Sequence, residues 1–243
     1  MKALIWAGMG TGFTFAMTAL GAAMVFFLAG EPKPRFQKAM LGFAAGVMTA
    51  ASVWSLLLPA IEQSGSWVPA AAGILAGTAF LASLDALLPC IQRENQDPSW
   101  RQTALLISAI TLHNIPEGMA VGLACALAAR EGGGAGAAAL AVGIGIQNFP
   151  EGAAVSLPLR REGRLRAFWK GTLSGAVEPL FGLLVVGAAA WAGALMPWLL
   201  SFAAGAMLYV VVEELIPQAH SSAGTCGYLG GFLVMMVLDV ALG

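Results

Sequence analysis

HNIPEGMAVG, residues 113–122, and QNFPEGAAVS, residues 147–156, are two versions of one pattern, Asn-x-Pro-Glu-Gly-x-Ala-Val. Each lies inside a long apolar run, where a carboxylate and an amide are expensive unless they have a task. The rest of the chain supplies the same apolar setting. Of 243 residues, 58% are hydrophobic and only 10% are charged, and the mean hydropathy is +0.79. A soluble surface needs roughly a quarter charged residues, and disordered chains are poor in apolar residues, so both classes are excluded. Twelve Lys and Arg against thirteen Asp and Glu leave a net charge of −1, which gives no basic field for nucleic acid.

A bilayer-spanning helix takes about 20 mostly apolar residues. Cut at its charged and Pro/Gly-rich breaks, the chain yields eight such spans, over 4–28, 39–61, 68–88, 102–129, 135–158, 168–192, 198–217 and 224–242. The uncharged run from Ala3 to Ala29 is longer than the roughly 7–15 residues of a signal-peptide core, so it reads as a retained first span. The connectors are too short for a soluble domain. The expectation is a single all-α polytopic membrane domain over 1–243, with eight transmembrane helices and the lipid bilayer as its solvent. Three widely separated cysteines imply no disulfide framework.

Lys and Arg are retained on the cytoplasmic side of a membrane. Lys33, Arg35, Lys38, Arg93, Arg101, Arg160, Arg161, Arg164, Arg166 and Lys170 fall on one side, and Lys2 and Arg130 on the other. This puts both termini outside the cytoplasm of a cell (inner) membrane, and an even span count agrees in placing them on one side.

The two motifs occupy consecutive, hence antiparallel, spans. His113 follows Arg101 by 12 residues and Asn148 precedes Arg160 by 12, so each motif lies about 18 Å from the cytoplasmic boundary. Equal depth in opposed helices implies a pseudo-two-fold inverted repeat with a site at the midplane. Residues three and four apart share a helix face, which groups His113 and Asn114 with Glu117, and Gln147 and Asn148 with Glu151. Pro116 and Pro150 lack an N–H, so the Leu112 and Ile146 carbonyls lose their usual donors. Gly118 and Gly152 are expected to bring the two motif helices close together. Glu178, before Pro179, has a similar depth in the sixth span.

No Lys or Arg lies at the level of Glu117, Glu151 and Glu178. An ionised carboxylate there costs about 3 kcal/mol or more, so these groups are protonated or are neutralised by something other than protein. Carboxylates, amide oxygens and an imidazole suit a divalent metal of the zinc or ferrous type, and Met48 could add a thioether. Two alternatives stay open at this point: a proton-coupled carrier of another solute, and an intramembrane metalloenzyme. An enzyme is disfavoured, because the two histidines are far apart and no His-Glu-x-x-His occurs.

These same segments, with GFAAGVMTAASVWSLLLPAIE (42–62), SGAVEPLFG (174–182) and AAGAMLYVVVEELIP (203–217), resemble the ZIP (Zrt-, Irt-like) family of metal transporters and its GufA-like bacterial branch. The resemblance implies a 3+2+3 helix bundle that moves Zn²⁺, or Fe²⁺, Cd²⁺ or Mn²⁺, into the cytoplasm by elevator-like alternating access, without a cofactor. Helices one, four, five and six would slide against two, three, seven and eight. It implies a main site of His113, Glu117, Gln147 and Glu151 with Met48 nearby. A second site would hold Asn114, Asn148 and Glu178, bridged by Glu117 and Glu151. Asp85, Cys90, Glu213 and Glu214 match a cytoplasmic exit site. Leu41, Ala44, Ala51, Leu140 and Ile144 resemble an apolar plug on the outer side. Gln147 stands where zinc importers of the family often have His, and Asn148 where some relatives have a carboxylate. The metal ion and the bilayer are the expected partners, with a homodimer left open.

Overall fold

The computed structural model describes residues 1–28, 33–91, 98–191 and 193–242, and these form eight membrane helices without strands. They are α1 (Lys2–Phe27), α2 (Pro34–Ser64), α3 (Trp67–Ile91), α4 (Pro98–Glu131), α5 (Ala135–Ser156), α6 (Arg164–Ser174 and Val177–Trp191), α7 (Met196–Ala219) and α8 (Ser222–Leu242). Among the described residues, six of them are long and apolar enough to cross a membrane by composition alone. The other two, α4 and α5, carry the motifs, and in α5 the Gln, Asn and Glu lower the hydropathy. The backbone of Cys90 lies in α3, but its side chain and that of Arg101, with all of Arg93, fall outside the described residues.

Local chemistry sets the ends. Pro34 supplies the fixed φ of a first helical turn. Gly65 ends α2 in the left-handed region at φ 61°, with its N–H on the Ile61 carbonyl. The sixth helix departs from the single span over 168–192: it begins at Arg164 and breaks at Gly175 and Ala176, whose N–H groups turn back three residues to Thr172 and Leu173. A Cβ on Gly175 would lie 2.9 Å from Thr18 Cγ2, so the break is also where α1 presses in. Two stretches are π-helical, Ser52–Leu57 in α2 and Val211–Leu215 in α7. Each precedes a proline, Pro59 or Pro217, whose ring would clash with the carbonyl four residues back in a regular helix.

The most extensive helix contacts are α2–α8, α3–α7, α1–α5 and α4–α6. Exchanging 1 with 6, 2 with 7, 3 with 8 and 4 with 5 turns the first pair into the second and the third into the fourth. The same exchange carries one π segment onto the other, so the inverted repeat extends over the whole bundle.

Glycine makes these pairs close. A Cβ on Gly42 would meet the Gly224 carbonyl at 2.0 Å, and one on Gly77 the Phe202 carbonyl at 2.0 Å. The motif glycines behave the same way, with a correction to their partners. Gly118 packs against the backbone of Glu178 in α6, and Gly152 against the Thr18 carbonyl in α1, rather than against each other's helix. Consecutive helical residues point about 100° apart, so Glu117 and Gly118 must address different neighbours.

The expected outer plug is divided. Leu41 and Ala44 line a cavity with Leu28, Phe36 and Pro158 at the cation-rich end of the bundle. On α2 they precede Met48 by seven and four residues, about 10 and 6 Å toward that end. Leu140 and Ile144, fully buried on α5, lie on the opposite side of the motif.

Candidate metal site

The site is built where α4, α5 and α6 meet, with α1 and α7 closing its sides. Glu117, Gln147, Asn148 and Glu178 are fully buried, Asn114 nearly so, and His113 and Glu151 are under a tenth exposed. Gln147 Nε2 donates to Glu117 Oε1 at 2.6 Å, which joins the two motifs directly. Asn148 Nδ2 donates to Glu178 Oε2 at 2.9 Å, and Thr18 Oγ1 to Glu178 Oε1 at 3.3 Å. Asn114 Nδ2 donates to the Ser174 carbonyl at 2.9 Å, beside the break in α6. Because of that break, Glu178 sits in the first turn of Val177–Trp191, where the helix dipole favours negative charge. The charge of Glu151 is felt by Glu117 and that of Glu178 by Glu151, and among the described residues no Lys or Arg contacts any of the three.

His113 points to α7, where its Nε2 lies 2.5 Å from Glu214 Oε1. A histidine placed by its motif in the main site thus meets a carboxylate placed at the exit. Glu213 is exposed beside Glu214 in the π segment, where the widened turn re-aims side chains. Asp85 on α3 accepts from the Tyr209 hydroxyl at 3.2 Å. Met48 is fully buried on α2.

Donors and acceptors are not balanced here. Asn114 Oδ1, Glu117 Oε2, Gln147 Oε1, Asn148 Oδ1 and Glu151 Oε2 are buried without a hydrogen-bond partner among the described residues. Native interiors seldom leave such atoms unpaired. Here five of them, all oxygens, belong to the two motifs. Such a set accepts a cation or a proton and has nothing to offer an anion. Among the described residues no three His, Cys, Asp or Glu side chains converge as a ready-made metal cage. The contacts explain why: His113 is engaged by Glu214, Glu117 by Gln147, and Glu178 by Asn148.

Sequence reasoning missed α1. Thr11, Thr14 and Thr18 are buried on one face, and Thr18 supplies a donor to Glu178. The signal was present as three threonines spaced three and four apart in an otherwise apolar span.

An eight-helix membrane bundle with a cation-accepting centre at the crossing of an inverted repeat defines a class, the intramembrane ion carriers. The comparisons with known proteins narrow it. Residues 96–239 match the family described as ZIP Zinc transporter. "Zinc transporter ZIP11" of Homo sapiens is 37% identical, over 97% of this chain and 96% of its own length. "Zinc transporter GufA" of Myxococcus xanthus is 36% identical, over 93% and 94%. "Zinc transporter ZIPB" of Bordetella bronchiseptica is 39% identical, over 98% and 82%. The chain belongs to the ZIP family, a family of transporters and not of enzymes, with GufA-like proteins among its relatives.

Proposed function

We propose that this protein is a secondary transporter of divalent transition metal, zinc foremost, that carries its ion across the membrane into the cytoplasm. The observation that carries the reading is the group of five unpartnered buried oxygens on Asn114, Glu117, Gln147, Asn148 and Glu151, with His113 in the same motif as two of them. Oxygen donors with one imidazole suit zinc and ferrous ions, and the relatives named as zinc transporters support zinc. The main site is His113, Glu117, Gln147 and Glu151 with Met48. The second holds Asn114, Asn148 and Glu178, with Glu117 and Glu151 bridging. Glu214, already in contact with His113, is the first exit residue, followed by Glu213, Asp85 and Cys90.

The glycine contacts support a two-body motion. Backbone-to-backbone approaches join α1 to α5, α4 to α6, α2 to α8 and α3 to α7. Between the group α1, α4, α5, α6 and the group α2, α3, α7, α8, the glycine contact is of another kind: Gly143 meets the side chains of Met235 and Val47. Interlocked backbones move as one piece, and side-chain surfaces can slide. The cation-rich ends then face the cytoplasm and both termini the opposite side, in a single transport domain over 1–243.

Uptake into proteoliposomes of purified protein, with Zn²⁺, Fe²⁺, Cd²⁺ and Mn²⁺ in competition under an imposed pH gradient, tests this. Metal-dependent uptake is expected, and Glu117→Ala should reduce it to the level of empty vesicles while leaving expression intact. Robust zinc uptake by Glu117→Ala would overturn the assignment. A proton flux indifferent to every metal offered would point to a carrier of another solute.

A further inference from the structure

The cation-rich end of the bundle holds a cavity of about 300 Å³ between α1, α2 and α5, walled by Met24, Met40, Leu41, Ala44, Phe149 and Leu157. Its rim is open to the outside of the bundle, since Leu28, Phe36 and Pro158 on it are all exposed. Polar side chains are few, Gln37 near the rim and Glu151 at the inner wall. Apart from these two, the walls are apolar and suit a hydrocarbon chain better than water. The mouth has the opposite character. Arg160 Nη1 donates to the carbonyl of Leu28 at 2.6 Å, which fixes the guanidinium on the rim. Arg35, next to Phe36, and Arg161 are exposed on the same end, where α2 begins without a side-chain cap.

We propose that this cavity takes an acyl chain of an anionic phospholipid of the adjoining leaflet, with its phosphate on Arg160. Basic side chains at that level attract anionic headgroups, the guanidinium matches phosphate geometry, and the apolar walls accept the tail. A neutral lipid satisfies the walls and not the mouth. The seat has α2 on one side and α1 and α5 on the other, so an occupied seat ties the two proposed bodies together and stabilises this arrangement. Binding itself does not depend on the transport reading, and the test measures binding.

Purified full-length protein in neutral detergent, given dioleoyl phosphatidylglycerol or dioleoyl phosphatidylcholine, is followed by native mass spectrometry and thermal unfolding. One phosphatidylglycerol is expected to survive activation that strips phosphatidylcholine, and to raise the unfolding temperature. Arg160→Gln, at an accessible position, should weaken phosphatidylglycerol about fivefold, the change expected for one basic side chain near an anionic headgroup, and leave phosphatidylcholine unaffected. Met40→Trp, which fills the cavity, should weaken both. Equal retention of the two lipids overturns the proposal, as does phosphatidylglycerol retention that ignores Arg160→Gln. Dimerisation that buries this face and excludes lipid overturns it as well. Should Met40→Trp not fold, the lipid pair and Arg160→Gln decide alone.

Discussion

Glu117 and Glu178 are equally buried, but their oxygens are in different circumstances. Glu178 accepts from Asn148 and Thr18 and lies in a helical first turn, whereas Glu117 Oε2 and Glu151 Oε2 accept from nothing. Glu178 is therefore oriented by two protein donors, although neither the amide nor the hydroxyl supplies a counter-charge. Glu178→Gln should change uptake rate or selectivity more than metal affinity; titration calorimetry and uptake on one preparation would contradict this if affinity collapsed. Thr18→Val removes a buried donor from a buried carboxylate, a loss of about 1–3 kcal/mol. It should lower the thermal midpoint without abolishing metal binding, and an unchanged midpoint would show that the contact contributes nothing.

The helices are assembled by glycines whose partners only the packing reveals. A Cβ on Gly152 would sit 2.0 Å from the Thr18 carbonyl, and one on Gly118 2.4 Å from that of Glu178. Backbone cannot rotate aside as a side chain can, so Gly152→Ala should destabilise by about 1–3 kcal/mol. The expected readout is a lower unfolding midpoint with loss of monodisperse protein. Normal folding of Gly152→Ala would mean that α1 and α5 are free to separate. The π segments belong to this scale too. Pro59 and Pro217 are plain in the sequence, but Pro116 and Pro150 are equally plain and leave α4 and α5 continuous. Proline therefore locates a disturbance without saying which form it takes.

For the whole bundle, the decisive contrast lies between contacts within the two groups of helices and contacts across them. Gly143 on α5 meets Met235 Sδ of α8 at 2.2 Å from where a Cβ would stand, and a thioether can move away. Gly143→Ala should thus fold with near-normal stability yet transport more slowly, because the added methyl obstructs sliding. Met235→Ala in the same background should restore the rate. If Gly143→Ala were as destabilising as Gly152→Ala, or if Met235→Ala gave no rescue, α5 and α8 would belong to one rigid body.

The sequence alone determined the membrane class, the eight spans to within a few residues at most ends, the inverted repeat and the motif residues, because hydropathy and helical spacing act locally along the chain. It also showed carboxylates without a cation at their depth, since charge can be counted without coordinates. Only the tertiary structure decided that Gly118 and Gly152 face α6 and α1, that His113 reaches Glu214, and that Thr18 of α1 donates to Glu178. It also moved Leu41 and Ala44 from the outer plug to the cation-rich cavity. These depend on how each helix is rotated about its axis and which neighbour it meets, and in an almost uniformly apolar chain no amphipathic stripe fixes that rotation in advance.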